Sequence, residues 1–242
     1  MDKKSIQNRD MTLSKLNSLE NQAKDFFSTY ESVLKATEKY LVQKLEGICL
    51  RYCKEHNLPP EAITIRTRRK SISSFINKLK RRGVLEISEY NDAMTDTVGA
   101  RIICWFVDDC FGILEYIKQD DSLCIIPDSI ENFIANPKET GYRSIHILNT
   151  IDPHLIGEKT DKSKPIQKII SEIQIRTKLQ DSWAEITHEF HYKAKYAGVN
   201  NPTYESLLGD ISDRLAIEDK TLMKFRDAYG KLANGNNKKT EI

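Results

Sequence analysis

The chain has 242 residues, enough for one sizeable domain to bury a core without metal or disulfide staples. At 39% hydrophobic and 30% charged residues it has the composition of a globular protein rather than of a disordered or membrane chain. A formal net charge of +2 excludes no class of partner, because a whole-chain sum hides local patches.

No apolar run approaches the length of a bilayer span, and the polar stretch from Met1 to Lys15 lacks the apolar centre of a secretory signal. The expected location is the cytoplasm. Five cysteines (Cys49, Cys53, Cys104, Cys110, Cys124), odd in number and without CxxC spacing, fit reduced thiols better than a disulfide framework.

From about Leu13 to His56 the apolar residues Phe26, Phe27, Tyr30, Val33, Leu34, Leu41, Leu45 and Ile48 recur at helical spacing, which predicts a long helix broken by a bend. Pro59-Pro60 stops it. A short strand is expected over Ala62–Lys70. Ser71 then caps a helix with Ile72, Phe75, Ile76 and Leu79 on its apolar face, and Gly83 ends it. Val98–Val107 is nearly continuously apolar, as a strand covered on both faces would be, with Arg101 as the exception. A helix over Phe111–Lys118, strands over Gly141–Thr150 and Lys168–Thr177, and helices over Leu179–Lys195 and Tyr204–Leu232 follow. A polar, frayed tail is expected from Asn234. Strands interspersed with helices suggest a sheet domain flanked by helices.

Four segments could carry chemistry. Between Arg66 and Arg82 eight basic residues occur without an acidic one. If strand and helix form as expected, Arg68 and Lys70 share one face and Ser74, Lys78 and Arg81 share another, a pair of faces suited to a polyphosphate. In Glu172-Ile173-Gln174-Ile175-Arg176 the polar residues alternate with isoleucines, so the strand presents Glu, Gln and Arg on one side. The next helix has Trp183, Ala184, His188 and Tyr192 along one side, and together they look like a polar pocket wall. Asp96, just before Val98, could join Glu172 in holding Mg²⁺. Gly141-Tyr142-Arg143-Ser144-Ile145-His146 places a ring, a guanidinium and an imidazole after a loop, which suits base stacking and phosphate contact. His188-Glu189-Phe190-His191 lacks the second histidine at i+4 of a zinc protease helix, and neither GxxxxGK[ST] nor GxGxxG occurs.

Taken in order, Arg68-Arg69-Lys70-Ser71 with Lys78, Thr95-Asp96-Thr97-Val98-Gly99-Ala100-Arg101, Asn136-Pro137-Lys138-Glu139-Thr140-Gly141-Tyr142-Arg143-Ser144-Ile145-His146, Glu172-Ile173-Gln174-Ile175-Arg176-Thr177 and Trp183-Ala184 with His188, Tyr192 and Lys193 resemble the RelA/SpoT synthetase domain. The resemblance implies an α+β fold, a mixed β-sheet flanked by helices of nucleotidyltransferase type. The implied layout is a helical N-terminal extension over residues 1–57, the synthetase domain over 58–200 and a C-terminal helix and tail over 201–242. It implies transfer of the β,γ-diphosphate of ATP to the 3′-hydroxyl of GDP or GTP. Carried onto matching positions, Arg68 and Arg101 sandwich the adenine, and Lys70, Lys78 and Arg81 hold the ATP phosphates. Asp96 and Glu172 bind Mg²⁺, and Glu172 helps deprotonate the attacking hydroxyl. Tyr142 stacks on the acceptor base, with Lys138, His146 and Gln174 beside it.

Where the family often has Lys-Asp-Tyr-Ile, this chain has Glu131-Asn132-Phe133-Ile134, a change on the acceptor side. No His-Asp pair of the family's hydrolase domain is found, so the chain resembles the small stand-alone synthetases. Some of these are toxins that modify the tRNA 3′ end or adenine nucleotides, and a non-catalytic RNA-binding protein on the same fold is a further alternative. The acceptor, the homo-oligomeric state and a neutralising antitoxin partner are left open by the sequence.

Overall fold

The computed structural model describes residues 3–83, 97–157, 168–196 and 202–237. Asp96 lies outside the described residues, as do the side chains of Arg68, Arg81, Tyr192 and Lys193.

The first element, α1 (Lys3–Glu55), is one helix of 53 residues, so the expected bend is not there. Its apolar positions pack along two successive partners, and a partner along the whole length removes the need to turn back. Leu19, Ala23 and Phe26 close on Phe75, Ile76 and Leu79 of α2 (Ile72–Arg82), with Phe26 stacked on Phe75 at 5.2 Å between ring centroids. Val33 to Tyr52 join the main core. The α2 ends follow their residue chemistry: the Ser71 hydroxyl accepts from the Ser74 N–H at 3.3 Å, and Gly83 takes the left-handed cap at φ 72°.

Among the described residues six strands form one mixed sheet in the order β1-β2-β6-β5-β3, with β4 also paired to β5. They are β1 (Ile63–Arg69), β2 (Val98–Cys104), β3 (Cys124–Ile125), β4 (Glu131–Asn132), β5 (Ile145–Ile151) and β6 (Ile169–Thr177). Among the described strands only β2 and β6 run parallel. The two-residue strands β3 and β4 are too short to show a period in the sequence. The strand β5 begins at Ile145 rather than Gly141, because residues 138–141 form a turn in which the Gly141 N–H donates to the Lys138 carbonyl at 2.7 Å.

Alternation decides the two faces of the sheet. Ile63, Ala100, Ile102, Ile145, Ile147, Ile173 and Ile175 enter one core with α1 and with Cys110, Ile113 and Ile117 of α3 (Val107–Lys118). This α3 starts four residues before the expected Phe111, since Asp109 and Cys110 extend the buried side formed by Ile113, Leu114 and Ile117. The Tyr52 hydroxyl donates to Asp109 at 3.0 Å and ties α1 to α3. Cys49, Cys53, Cys104 and Cys110 are buried and Cys124 is exposed, all as free thiols. Burial raises the pKa of Cys49, Cys53 and Cys104, with a hydrogen bond to Cys110 the largest cause at Cys104.

Two further helices follow among the described residues. The first, α4 (Lys178–Tyr196), continues directly from β6, and the second, α5 (Pro202–Asn237), is helical past Asn234 as far as the last described residue, the rest of the tail lying outside the described residues. No described helix is long and apolar enough to cross a membrane. The inner side of α5 is fastened to the junction of β6 and α4. Its Leu208 carbonyl accepts from the Trp183 indole N–H at 2.9 Å, and Asp219 accepts from Thr177 Oγ1 at 2.9 Å and Gln180 Nε2 at 3.2 Å.

Asp219 is 2% exposed, and one of its oxygens has no hydrogen-bond partner. Burial pushes its pKa up to about 6 from the usual 3.8, against the opposing pull of the Thr177 and Gln180 hydrogen bonds and the more distant Arg143 charge. The folded state therefore holds this proton more tightly than the unfolded chain does. The group's contribution to stability is full below about pH 4 and is lost as pH rises to about 6, by at most about 3 kcal/mol. Asp219→Asn has no such titration, so its melting temperature relative to the unaltered chain should climb between pH 4 and pH 7. An offset that is the same at both pH values would refute the buried carboxyl.

Candidate active site

The face of the sheet opposite the core carries polar residues in register. Arg66 of β1 lies opposite Arg101 of β2, Arg101 opposite Gln174 of β6, and Gln174 opposite His146 of β5, so four strands supply one row. In the adjacent row Arg68, Gly99, Glu172 and Leu148 are opposed in the same way. The helix α4 stands over this face, and between them lies a cleft of about 490 Å³, within the range of small-molecule sites. Arg66, Arg101, Tyr142, Glu172, Gln174, Arg176, Glu185 and His188 are among its walls.

One end of the cleft is an arginine–carboxylate cluster. The Glu185 Oε1 atom accepts from Arg66 Nη1 at 2.9 Å and from Arg101 Nη1 at 3.0 Å, bridging two guanidiniums that sit opposite each other in the sheet. Asp181, one turn earlier on α4, lies 3.0 Å from Arg101 Nη1, 3.4 Å from Arg66 Nη1 and 3.7 Å from Arg176 Nε. Three guanidiniums would repel one another at this spacing, and two carboxylates offset them. Arg176 is the most enclosed of the three, and burial lowers its pKa. Such a cluster can exchange the exposed Glu185 carboxylate for a ligand phosphate, because water can take up the released carboxylate.

The other end is a relay of hydrogen bonds. The Tyr142 hydroxyl and His146 Nε2 are 2.7 Å apart, and His146 Nδ1 lies 3.0 Å from Glu172 Oε1. The other oxygen of Glu172 accepts from Gln174 Nε2 at 3.1 Å, and the Gln174 carbonyl in turn accepts from Arg176 Nη2. Burial raises the Tyr142 pKa, so its phenol stays protonated near neutrality. Phe133 stands edge-on to His146 at 5.3 Å, and the Lys138 ammonium lies 4.2 Å from the Phe133 ring centroid and 5.4 Å from that of Tyr142. The segment that departs from the usual family pattern thus backs this end: Glu131 and Asn132 pair with His146 and Ile145, and Phe133 packs on the imidazole.

Of the site residues expected from the sequence, the structure gathers Arg101, Tyr142, His146, Glu172 and Gln174 around the cleft. Lys138 reaches the aromatic cluster from outside. Lys70 and Lys78 are half-buried and do not line the cleft, while Asp96 and the side chains of Arg68 and Arg81 fall outside the described residues. Two expectations are corrected. Trp183 does not share the cleft wall with Ala184 and His188: it is buried against α5, because a large ring with one N–H donor is best satisfied between two helices. Arg143 turns away from the cleft toward α5, where it finds a carboxylate. Asp181 and Glu185 were missed. Their signal is an i, i+4 acidic pair on the helix that follows the Glu-Gln-Arg strand, which reads as an ordinary exposed face until the arginines are placed opposite it.

For a divalent cation the described residues offer the carboxylate of Glu172 in the cleft, the hard oxygen donor that Mg²⁺ takes. Among the described residues no group of three or more potential metal ligands collects. Mg²⁺ in nucleotide sites is commonly held by one or two carboxylates and completed by substrate phosphates.

The sequence pattern described as "Region found in RelA / SpoT proteins" matches residues 67–197, more than half of the chain. The chain is 31% identical over 153 residues to the GTP pyrophosphokinase YwaC of Bacillus subtilis, covering 63% of this chain and 66% of that one. It is 32% identical over 157 residues to the GTP pyrophosphokinase YjbM of the same organism, covering 64% and 67%. The chain thus spans about two thirds of the length of these relatives. Among solved structures, the small alarmone synthetase 1 of B. subtilis bound to its product pppGpp superposes with a TM-score of 0.65 at 26% identity, covering 85% of this chain and 96% of that one. The small alarmone synthetase 2 of B. subtilis gives 0.65 at 25% identity, covering 81% and 96%. A match over the cleft strands, joined to the same mixed sheet and flanking helices, leaves one conclusion: the chain belongs to the RelA/SpoT family.

Proposed function

We propose that the chain is a GTP pyrophosphokinase, moving the β,γ-diphosphate of ATP onto the 3′-hydroxyl of GDP or GTP to make (p)ppGpp. The observation that carries this reading is the position of Glu172, on a central strand between the arginine cluster and the tyrosine–histidine pair. An acceptor on the Tyr142 side and ATP on the Arg101 side would meet at this carboxylate.

Glu172 takes the proton of the 3′-hydroxyl as that oxygen forms a bond to the β-phosphorus of ATP. The bond from the β-phosphorus to the oxygen bridging the α- and β-phosphates breaks, and AMP leaves with the electron pair. His146 and Gln174 each contact one oxygen of Glu172 and fix its orientation. Arg101, together with Arg68, is assigned to the adenine, and Lys70, Lys78 and Arg81 to the phosphates. Tyr142 supplies the stacking surface for the acceptor base, beside Lys138. Mg²⁺ held by Glu172 and Asp96 neutralises phosphate charge when bound. Positioning and charge neutralisation suffice for in-line displacement at phosphorus, so no covalent nucleophile is needed.

The experiment is transfer from γ-labelled ATP to GDP, GTP, AMP or tRNA, each offered separately with Mg²⁺. Label should appear on GDP and GTP with release of one AMP per transfer. Label on AMP or tRNA alone would replace the acceptor, and no transfer to any of the four would sink the proposal.

A further inference from the structure

Residues 138–143 follow no regular element, yet Tyr142 projects from them into the cleft. What holds them is α5, which lies beyond the residues matched by the family pattern. The Ser212 hydroxyl donates to the Gly141 carbonyl. Gly141 itself adopts φ 85°, and a Cβ there would stand 2.8 Å from the Ser212 Cβ and 3.1 Å from the Gly209 Cα, so the loop backbone rests directly on the helix. Arg143 donates to Asp213 Oδ1 at 2.7 Å, to Ser212 Oγ at 3.3 Å and to the Ile134 carbonyl at 3.2 Å. One guanidinium thus ties the far end of the loop and the segment preceding it to the same turn of α5. Tyr142 lies between these two fastened residues.

From this we infer that Ser212 and Asp213 are positioning residues for the acceptor: through Gly141 and Arg143 they hold Tyr142 where it meets the acceptor base. The inference rests on the reading of Tyr142 as the acceptor platform. The helix can serve as a fixed reference because its other contacts, Leu208 with Trp183 and Asp219 with Thr177 and Gln180, anchor it to the end of the strand bearing Glu172. The Asp213 side chain is 71% exposed, so its removal should disturb the loop more than the fold.

The test measures KM for GDP and for ATP separately in the full chain. Asp213→Ala should raise the GDP KM roughly two- to fivefold, the worth of one largely exposed ion pair, with the ATP KM unchanged. Asp213→Glu should restore part of the loss. Asp213→Ala combined with Arg143→Ala should be no worse than Arg143→Ala alone, since both remove one contact. An unchanged GDP KM, or equal changes in both KM values, would overturn the inference. If Tyr142→Ala raises the GDP KM while Asp213→Ala does not, only the role of α5 fails; if Tyr142→Ala leaves the GDP KM unchanged, the acceptor reading beneath it fails too.

Discussion

Glu172→Gln should lower turnover at least about a thousandfold while leaving the melting temperature nearly unchanged. The substitution is isosteric, and the side chain stands on the cleft face of β6 rather than in the core. An amide oxygen can still accept one hydrogen bond, so His146 or Gln174 keeps a partner. What is lost is the negative charge, and with it both the proton acceptor and the oxygen donor for Mg²⁺. General-base assistance contributes roughly a hundred- to ten-thousandfold, and loss of the metal ligand adds to it. The measurement is transfer under saturating ATP and GDP, with thermal unfolding as the control for the fold. Turnover within tenfold of the unaltered chain would remove Glu172 from the chemistry.

Replacing Tyr142 with alanine should weaken acceptor use about ten- to a hundredfold, because stacking of a base on an aromatic ring contributes roughly 1–3 kcal/mol. ATP affinity should hardly change, since Arg101 lies in the same row as Gln174 but two strands away from His146, the partner of Tyr142. Tyr142→Phe separates the ring from the hydroxyl. The ring stays, so the GDP KM should stay. The hydroxyl's contact with His146 is lost, and His146 is what orients Glu172. Turnover should therefore fall about twofold to tenfold, the worth of one neutral hydrogen bond. A Tyr142→Ala variant that loses ATP affinity instead would reverse the assignment of the two ends of the cleft.

Much of this protein is legible from order along the chain. The period of two in Ile173-Gln174-Ile175-Arg176 already separates a core face from a cleft face, because strand geometry sends alternate side chains to opposite sides whatever the neighbours are. The Ser71 cap and the Gly83 stop are equally local, since each satisfies backbone groups within one turn of itself. Five of the expected site residues, Arg101, Tyr142, His146, Glu172 and Gln174, meet at one cleft for the same reason: strands and the turn before one of them place them there.

Other features have no local cause. The unbroken course of α1 depends on α2 and the sheet lying along it, partners that sequence spacing cannot reveal. Glu185 becomes a cleft residue, and Asp181 its buried neighbour in the arginine cluster, only because β1 and β2 bring Arg66 and Arg101 beneath α4 from eighty or more residues away. Trp183 and Arg143 leave the cleft because α5 offers a carbonyl to one and a carboxylate to the other. By itself the sequence determined the family, the strand faces and the helix ends, all of which follow from residue type and short-range period. Tertiary structure alone decided which charges pair and which loop a distant helix supports, because electrostatic and hydrogen-bond partners are chosen by proximity in space.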